Sequence, residues 1–165
     1  MSLPNLISQS CILAAAGLGL LLASCSTASV GNGATITKVN PYHLTDVNAR
    51  VVAADPSIQF EKDSILHGAI SMTERVARQG DYFTIFWKVE DRSQPVVVRL
   101  EYRQKNSGLT IKKLEQEVTE VGRNNVTKFS LIGDDYISNA HVTSWRASIL
   151  RGNQVLTSYN SYLWE

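Results

Sequence analysis

The sequence predicts an all-β fold, an antiparallel β-sandwich, and three observations support it. First, apolar and polar residues alternate with a period of two along much of the chain after residue 80. Second, turn signals separate these runs at intervals of about eight to fourteen residues, which gives roughly seven or eight short strands. Third, Gly152-Asn153 is a two-residue hairpin signal near the C-terminus, since both residues tolerate a positive φ.

The central strands carry the clearest alternation. Residues 82–89 form a strand whose buried face collects Phe83, Ile85, Trp87 and Val89. A second strand follows Pro95, and its buried face collects Val96, Val98, Leu100 and Tyr102. Residues 109–121 predict one bent strand or two short ones, and residues 126–132 predict another strand.

The C-terminal hairpin is predicted by pairing residues outward from its turn. This pairing places Ile149 opposite Leu156, Ala147 opposite Ser158 and Trp145 opposite Asn160. Tyr162 and Trp164 are then expected to continue the buried face to the end of the chain.

The segment before residue 80 is less regular. Residues 57–62 and 69–77 are interpreted as strands, although residues 71–78 also suit a short helix.

The order of these strands and the Trp-rich closing hairpin resemble an immunoglobulin or fibronectin type III domain over residues 65–164. Trp87 stands where such domains often place a core tryptophan. The inter-sheet cysteine pair and the usual tyrosine corner of the family are absent from this sequence. A small lipocalin-like barrel is the alternative architecture.

The front of the chain has the pattern of an export signal. Residues 12–22 form an apolar run of the length found in signal peptides and too short to cross a bilayer as a helix. The segment departs from the usual pattern in one respect, since residues 1–24 contain no Lys or Arg and only the amino terminus supplies positive charge. Leu22-Ala23-Ser24-Cys25 resembles the lipobox of bacterial lipoprotein precursors. The resemblance implies cleavage between Ser24 and Cys25, a diacylglyceryl thioether on Cys25, and further acylation with chains such as palmitate.

The resemblance also implies a location and a domain plan. Ser26 after the cysteine resembles an outer-membrane sorting residue, so we expect a lipid-anchored outer-membrane protein, facing the periplasm. Residues 1–24 are interpreted as signal peptide, and residues 25–40 as the lipidated cysteine and a flexible tether rich in Ser, Thr and Gly. Residues 41–165 are interpreted as the β-sandwich domain.

Charge and cysteine content exclude several classes of protein. Sixteen basic and fifteen acidic residues give a net charge of +1 without long runs of either sign, which argues against nucleic-acid binding. Cys11 lies in the predicted signal peptide and Cys25 would carry lipid, so no intramolecular disulfide is expected.

Candidate catalytic and metal-binding residues do not form a recognised pattern. His43, His67 and His141 are far apart in sequence, so we predict no metal site and no cofactor. Glu115 and Glu117 are two residues apart on a predicted strand, so we expect both to lie on its solvated face. Asp134 and Asp135 follow Gly133, and we expect them to lie in a turn. No nucleophile elbow, zinc-protease helix or phosphate-binding loop is present. We therefore expect no catalytic residues and a protein that is not an enzyme.

A binding surface is suggested by the residues opposite the core face. Tyr82 and Phe86 would lie on the outer sheet surface near Arg99 and Arg103 of the next strand, and aromatic residues beside arginines are enriched in interfaces. The alternative is that residues 42–52 cover the aromatic pair.

The expected function is therefore binding or structural support at the membrane surface, with another envelope protein as the partner. The alternative is a periplasmic inhibitor of a lysozyme-like or other enzyme, with residues 133–140 as the inhibitory loop.

Overall fold

A computed structural model of the protein describes residues 28–47 and 56–164. Within these residues, eight strands and three short α-helices form a predominantly β structure. The strands are β1 (Ser29–Val30), β2 (Ala34–Leu44), β3 (Gly80–Val89), β4 (Val96–Gln104), β5 (Lys112–Val118), β6 (Asn125–Ile132), β7 (Val142–Arg151) and β8 (Gln154–Asn160). The helices are α1 (Pro56–Leu66), α2 (Met72–Val76) and α3 (Asp134–Asn139), with 3₁₀ turns at Lys105–Ser107 and Tyr162–Trp164.

The strands form two antiparallel four-stranded sheets. Sheet A has the order β1-β2-β3-β6, and sheet B has the order β5-β4-β7-β8. The prediction of an all-β antiparallel fold is confirmed. The described strands pair only within their own sheet, which favours a sandwich over the barrel alternative.

The core lies between the two sheets and is built from the predicted alternating faces. Phe83, Ile85 and Trp87 of β3 pack in one cluster with Val98 and Leu100 of β4. Trp87 is 1% exposed. Its Nε1 donates a 3.0 Å hydrogen bond to Thr127 Oγ1 on β6, so its polar atom is satisfied inside an apolar core.

The C-terminal hairpin forms, but its predicted register is wrong. A β-bulge between Ile149 and Leu150 shifts the pairing by one residue, so Ile149 faces Thr157 and Ala147 faces Tyr159. Leu156 is still buried in the core. A bulge adds one unpaired residue to one strand, which an outward count from the turn does not anticipate.

The chain end also departs from the predicted strand. β8 ends at Asn160, and Tyr162 is 94% exposed instead of lying on the buried face. Trp164 is buried, but it lies in the 3₁₀ turn and not on a strand. Its ring lies under the guanidinium groups of Arg103 and Arg146, with Cζ atoms 4.5 and 5.1 Å from the ring centroid.

The interpretation of residues 57–62 as a strand is wrong, because they lie in α1. Pro56 suits the first turn of a helix, and Gln59 Nε2 donates to Asp63 Oδ1 at 2.7 Å, one turn apart. The helical alternative for residues 71–78 is confirmed by α2. Ser71 and Glu74 form a reciprocal capping box at its start.

The predicted tether up to residue 40 is also wrong over its described part. β1 and most of β2 lie within it, and Ala34 and Ile36 are buried in the core. Small and hydroxyl-bearing residues at the start of β2 resemble a flexible tether and conceal the buried positions Ala34 and Ile36. Ser29 is docked on sheet B as well, since its Oγ donates to the carbonyl oxygen of Ser158 at 2.5 Å.

None of the helices within residues 28–47 and 56–164 is long and apolar enough to span a bilayer.

Candidate functional site

The sandwich brings several polar side chains together at one end, which we call the His43 end. β2, β4 and β6 finish there, and β3, β5 and β7 begin there. Among the residues at this end are His43, Asp81, Tyr136 and His141. His43 lies on β2, Asp81 on β3, and Tyr136 and His141 on the segment from α3 to the start of β7. The pairing of β2 with β3 and the packing of sheet A on sheet B bring these three parts of the chain together.

Asp81 and His43 form the central contact of the His43 end. They are direct partners across β2 and β3, so their side chains lie on the same face. The Nδ1 atom of His43 lies 2.6 Å from Asp81 Oδ1. Asp81 is 5% exposed, whereas the His43 side chain is 38% exposed. The carboxylate therefore fixes the orientation of an imidazole that solvent can reach.

Asp81 also joins the two sheets. Its second oxygen, Oδ2, accepts a 2.7 Å hydrogen bond from the backbone N–H of Val142, the first residue of β7 in sheet B. The preceding residue is His141. Its ring centroid lies 5.6 Å from that of His43, in an edge-to-face arrangement. One buried carboxylate thus holds one histidine directly and places the other beside it.

The Nε2 atom of His43 points toward Tyr136 on α3. The Tyr136 hydroxyl lies 3.5 Å from Nε2, longer than a normal hydrogen bond between these atoms. Burial raises the pKa of Tyr136 above its ordinary value, with a further contribution from the Asp81 charge. The phenol therefore stays protonated near neutral pH and can donate toward Nε2.

A cleft opens between the two sheets at this point. It has a volume of about 380 Å³, and its lining includes His43, Asp81 and His141 together with the aromatic rings of Phe83 and Trp145. A small ligand or hydrated ion could therefore reach both histidines. The described residues include no group of three or more His, Cys, Asp or Glu side chains arranged to hold a metal ion.

The predicted inhibitory loop, residues 133–140, forms α3 beside the cleft. Asp135 anchors the helix, because its carboxylate pairs with Lys112 Nζ and accepts from Asn139 Nδ2. The side chain of Gln104 donates to the backbone oxygens of Asp135 and Ala140 at 3.3 and 3.0 Å. Both the first turn of α3 and its C-terminal end at Ala140 are therefore held in place by side chains.

Tyr102 reinforces the same anchor from the core. Its hydroxyl donates to Asp135 Oδ2 at 3.4 Å. Burial, together with the smaller effect of the neighbouring Asp135, raises the pKa of Tyr102 to about 12. Tyr102 therefore stays protonated and a donor throughout the physiological range. Above this anchor, the Ile137 side chain is 75% exposed.

The predicted surface of Tyr82, Phe86, Arg99 and Arg103 does not exist as one surface, and this prediction is corrected. Tyr82 and Phe86 lie on the outer face of sheet A, whereas Arg99 and Arg103 lie on the outer face of sheet B. The predicted surface requires β3 and β4 to be neighbours in one sheet. The chain instead crosses from one sheet to the other between them.

Each half of that predicted surface is also engaged within the protein. The Tyr82 hydroxyl donates to the Arg78 carbonyl at 2.6 Å, and residues of α1 line clefts beside it. Arg99 donates to Glu115 at 2.6 Å, and Arg103 stacks on Trp164. Residues of α1 therefore cover part of the sheet A surface around Tyr82. Of the expected covering segment, residues 48–52 lie outside the described residues.

The predicted cleavage and lipidation residues, Ser24 and Cys25, also lie outside the described residues. The candidate-site residues that the sequence does not bring together are His43, Asp81 and His141. The signal that could have found them was the cross-strand partnership of His43 and Asp81, which requires the β2–β3 register.

Comparison with known proteins finds no family model, no curated protein and no solved structure that matches this chain.

Proposed function

We propose that the protein is a lipid-anchored outer-membrane protein whose sandwich binds another envelope protein without catalysing a reaction. The lipobox at residues 22–25 and Ser26 support the anchor and its location. The docked strand β1 begins at Ser29, four residues after Cys25. Four residues span at most about 14 Å, so the sandwich would be held directly at the membrane surface.

The strand order supports an immunoglobulin or fibronectin type III type of sandwich. In that fold, strands A, B and E share one sheet, and strands C and F lie beside G in the other. β2, β3 and β6 have the positions of A, B and E, whereas β4, β7 and β8 have those of C, F and G. β5 has the position of the additional strand C′. Domains of this type commonly bind through loops at one end.

The observation that carries the proposal is the anchored helix α3 with Ile137 exposed at the His43 end. Binding is favoured when a loop is already ordered, because less conformational freedom is then lost. Asp135, Lys112 and Gln104 provide that order, and Ile137 provides an apolar contact. Ile137 lies on the part of the sandwich farthest along β2 from Ser29. His43 is roughly 23 Å beyond the partner of Ser29, at about 3.3 Å per residue.

Site-specific crosslinking in the intact cell envelope tests this proposal. A photo-crosslinking amino acid at position 137 should capture one envelope protein, whereas the same group at exposed Lys88, toward the other end of β3, should not. Ile137→Asp should abolish co-purification of that partner by placing a charge in the apolar contact. Capture at both positions, or a complex that survives Ile137→Asp, would contradict binding through α3.

The second candidate function is inhibition of a lysozyme-like or other enzyme, and the same anchored loop supports it. An inhibitory loop must hold its shape inside an active site, which the contacts of Asp135 would allow. Under this alternative, added protein should lower lysozyme activity, and Ile137→Asp should relieve the inhibition. Unchanged lysozyme activity at saturating protein would leave the envelope-binding proposal as the better one.

A further inference from the structure

We propose that His43 and His141 bind one divalent transition-metal ion of the Zn²⁺ type at the mouth of the cleft at the His43 end. This inference goes beyond the proposed binding function and rests on separate residues. The ring centroids of the two histidines are 5.6 Å apart. Imidazoles that share a metal about 2.0–2.1 Å from each nitrogen have ring centres about 5 to 6 Å apart, so the observed spacing needs little adjustment.

Asp81 prepares His43 for this role. Metal-binding histidines commonly donate their second ring N–H to a carboxylate, which selects the tautomer and increases the basicity of the ligating nitrogen. Asp81 Oδ1 lies 2.6 Å from Nδ1, leaving Nε2 as the ligating atom. The hydrogen bond from Val142 N to the other carboxylate oxygen keeps Asp81 in place.

The Tyr136 hydroxyl lies 3.5 Å from Nε2, so a metal ion bound there would displace this weak contact. The cleft of about 380 Å³ admits solvent to this point. Because the protein would supply two imidazoles, water would complete the coordination, giving an open site.

The test uses the full-length chain, purified in detergent without a histidine tag. Isothermal titration with ZnCl₂ should show one Zn²⁺ bound per chain. His43→Gln and His141→Gln should each weaken that binding by at least about tenfold, and Asp81→Asn by about 10- to 100-fold. Cu²⁺ bound to the same chain should show nitrogen ligation in its electron paramagnetic resonance spectrum, which the two histidine variants should reduce.

The matched control is His67→Gln. His67 is exposed beyond the end of α1 and lies outside the cleft, so its loss should leave the Zn²⁺ affinity unchanged. Circular dichroism of each variant verifies that it remains folded. Absence of Zn²⁺ binding, or equal weakening by His67→Gln and His141→Gln, would overturn the proposal. Since Ile137 is not a ligand, failure of the metal site would leave the crosslinking test of the proposed function unaffected.

Discussion

Trp87→Ala should remove about 3 to 5 kcal/mol from the free energy of unfolding, against a total of about 5 to 15 kcal/mol for a domain of this kind. Trp87 is 1% exposed and packs among residues of both sheets. The substitution leaves a cavity at the centre of the sandwich. It also leaves Thr127 without its hydrogen-bond partner, since Thr127 is 1% exposed. Urea unfolding of the chain beginning at Ser26 measures the loss.

Tyr162→Ala is the matched control for a large aromatic residue. Tyr162 is 94% exposed, so its removal should change stability by less than about 0.5 kcal/mol. A Trp87→Ala variant as stable as Tyr162→Ala would contradict the packing of the core described above.

Gly31→Ala should destabilise the domain by about 1 to 3 kcal/mol by separating β1 from β8. A Cβ atom at position 31 would overlap the carbonyl oxygen of Leu156 and lie 2.8 Å from Thr157 Cβ. The backbone at Asn32 would move with it, and its N–H now donates to the same Leu156 oxygen at 2.9 Å. Thermal and urea unfolding measure the loss.

Gly122→Ala is the control for this substitution. Its Cβ atom would meet only Asn125 Oδ1 at 3.4 Å and Asn124 O at 3.6 Å, which is ordinary contact. We therefore expect little change in stability. If Gly31→Ala behaved like Gly122→Ala, residues 28–33 would form a loose tether after all, and the close approach of the sandwich to the membrane would be lost.

The central strands could be predicted from sequence because each buries one face. In β3 and β4, apolar residues alternate with polar or aromatic ones over eight or more positions, a pattern that a helix would not produce. β2 escaped prediction because Lys38 and Pro41 interrupt its alternation, and the β-bulge after Ile36 shifts its register. The helix α1 was not predicted because Ile58 and Phe60 alternate with polar residues as in a strand. In the structure both side chains are exposed on the helix, so the alternation does not mark a buried face.

The candidate site was harder to predict because it depends on which strands are neighbours. Tyr82 and Arg99 are close in sequence, yet they lie on outer faces of different sheets. His43 and His141 are far apart in sequence, yet Asp81 links their strands across the sandwich. No local pattern encodes such contacts, since they follow from the register of β2 on β3 and from the packing of sheet A on sheet B.

Mass spectrometry of the mature N-terminus tests the central claim, lipid anchoring at Cys25, most directly. We predict that the mature chain begins at Cys25 and that this residue carries a diacylglyceryl group. Cys25→Ala should release the protein from the membrane fraction, because the acyl chains contribute about 0.8 kcal/mol per buried methylene. An unmodified Cys25 in the mature protein, or membrane association that survives Cys25→Ala, would contradict the account.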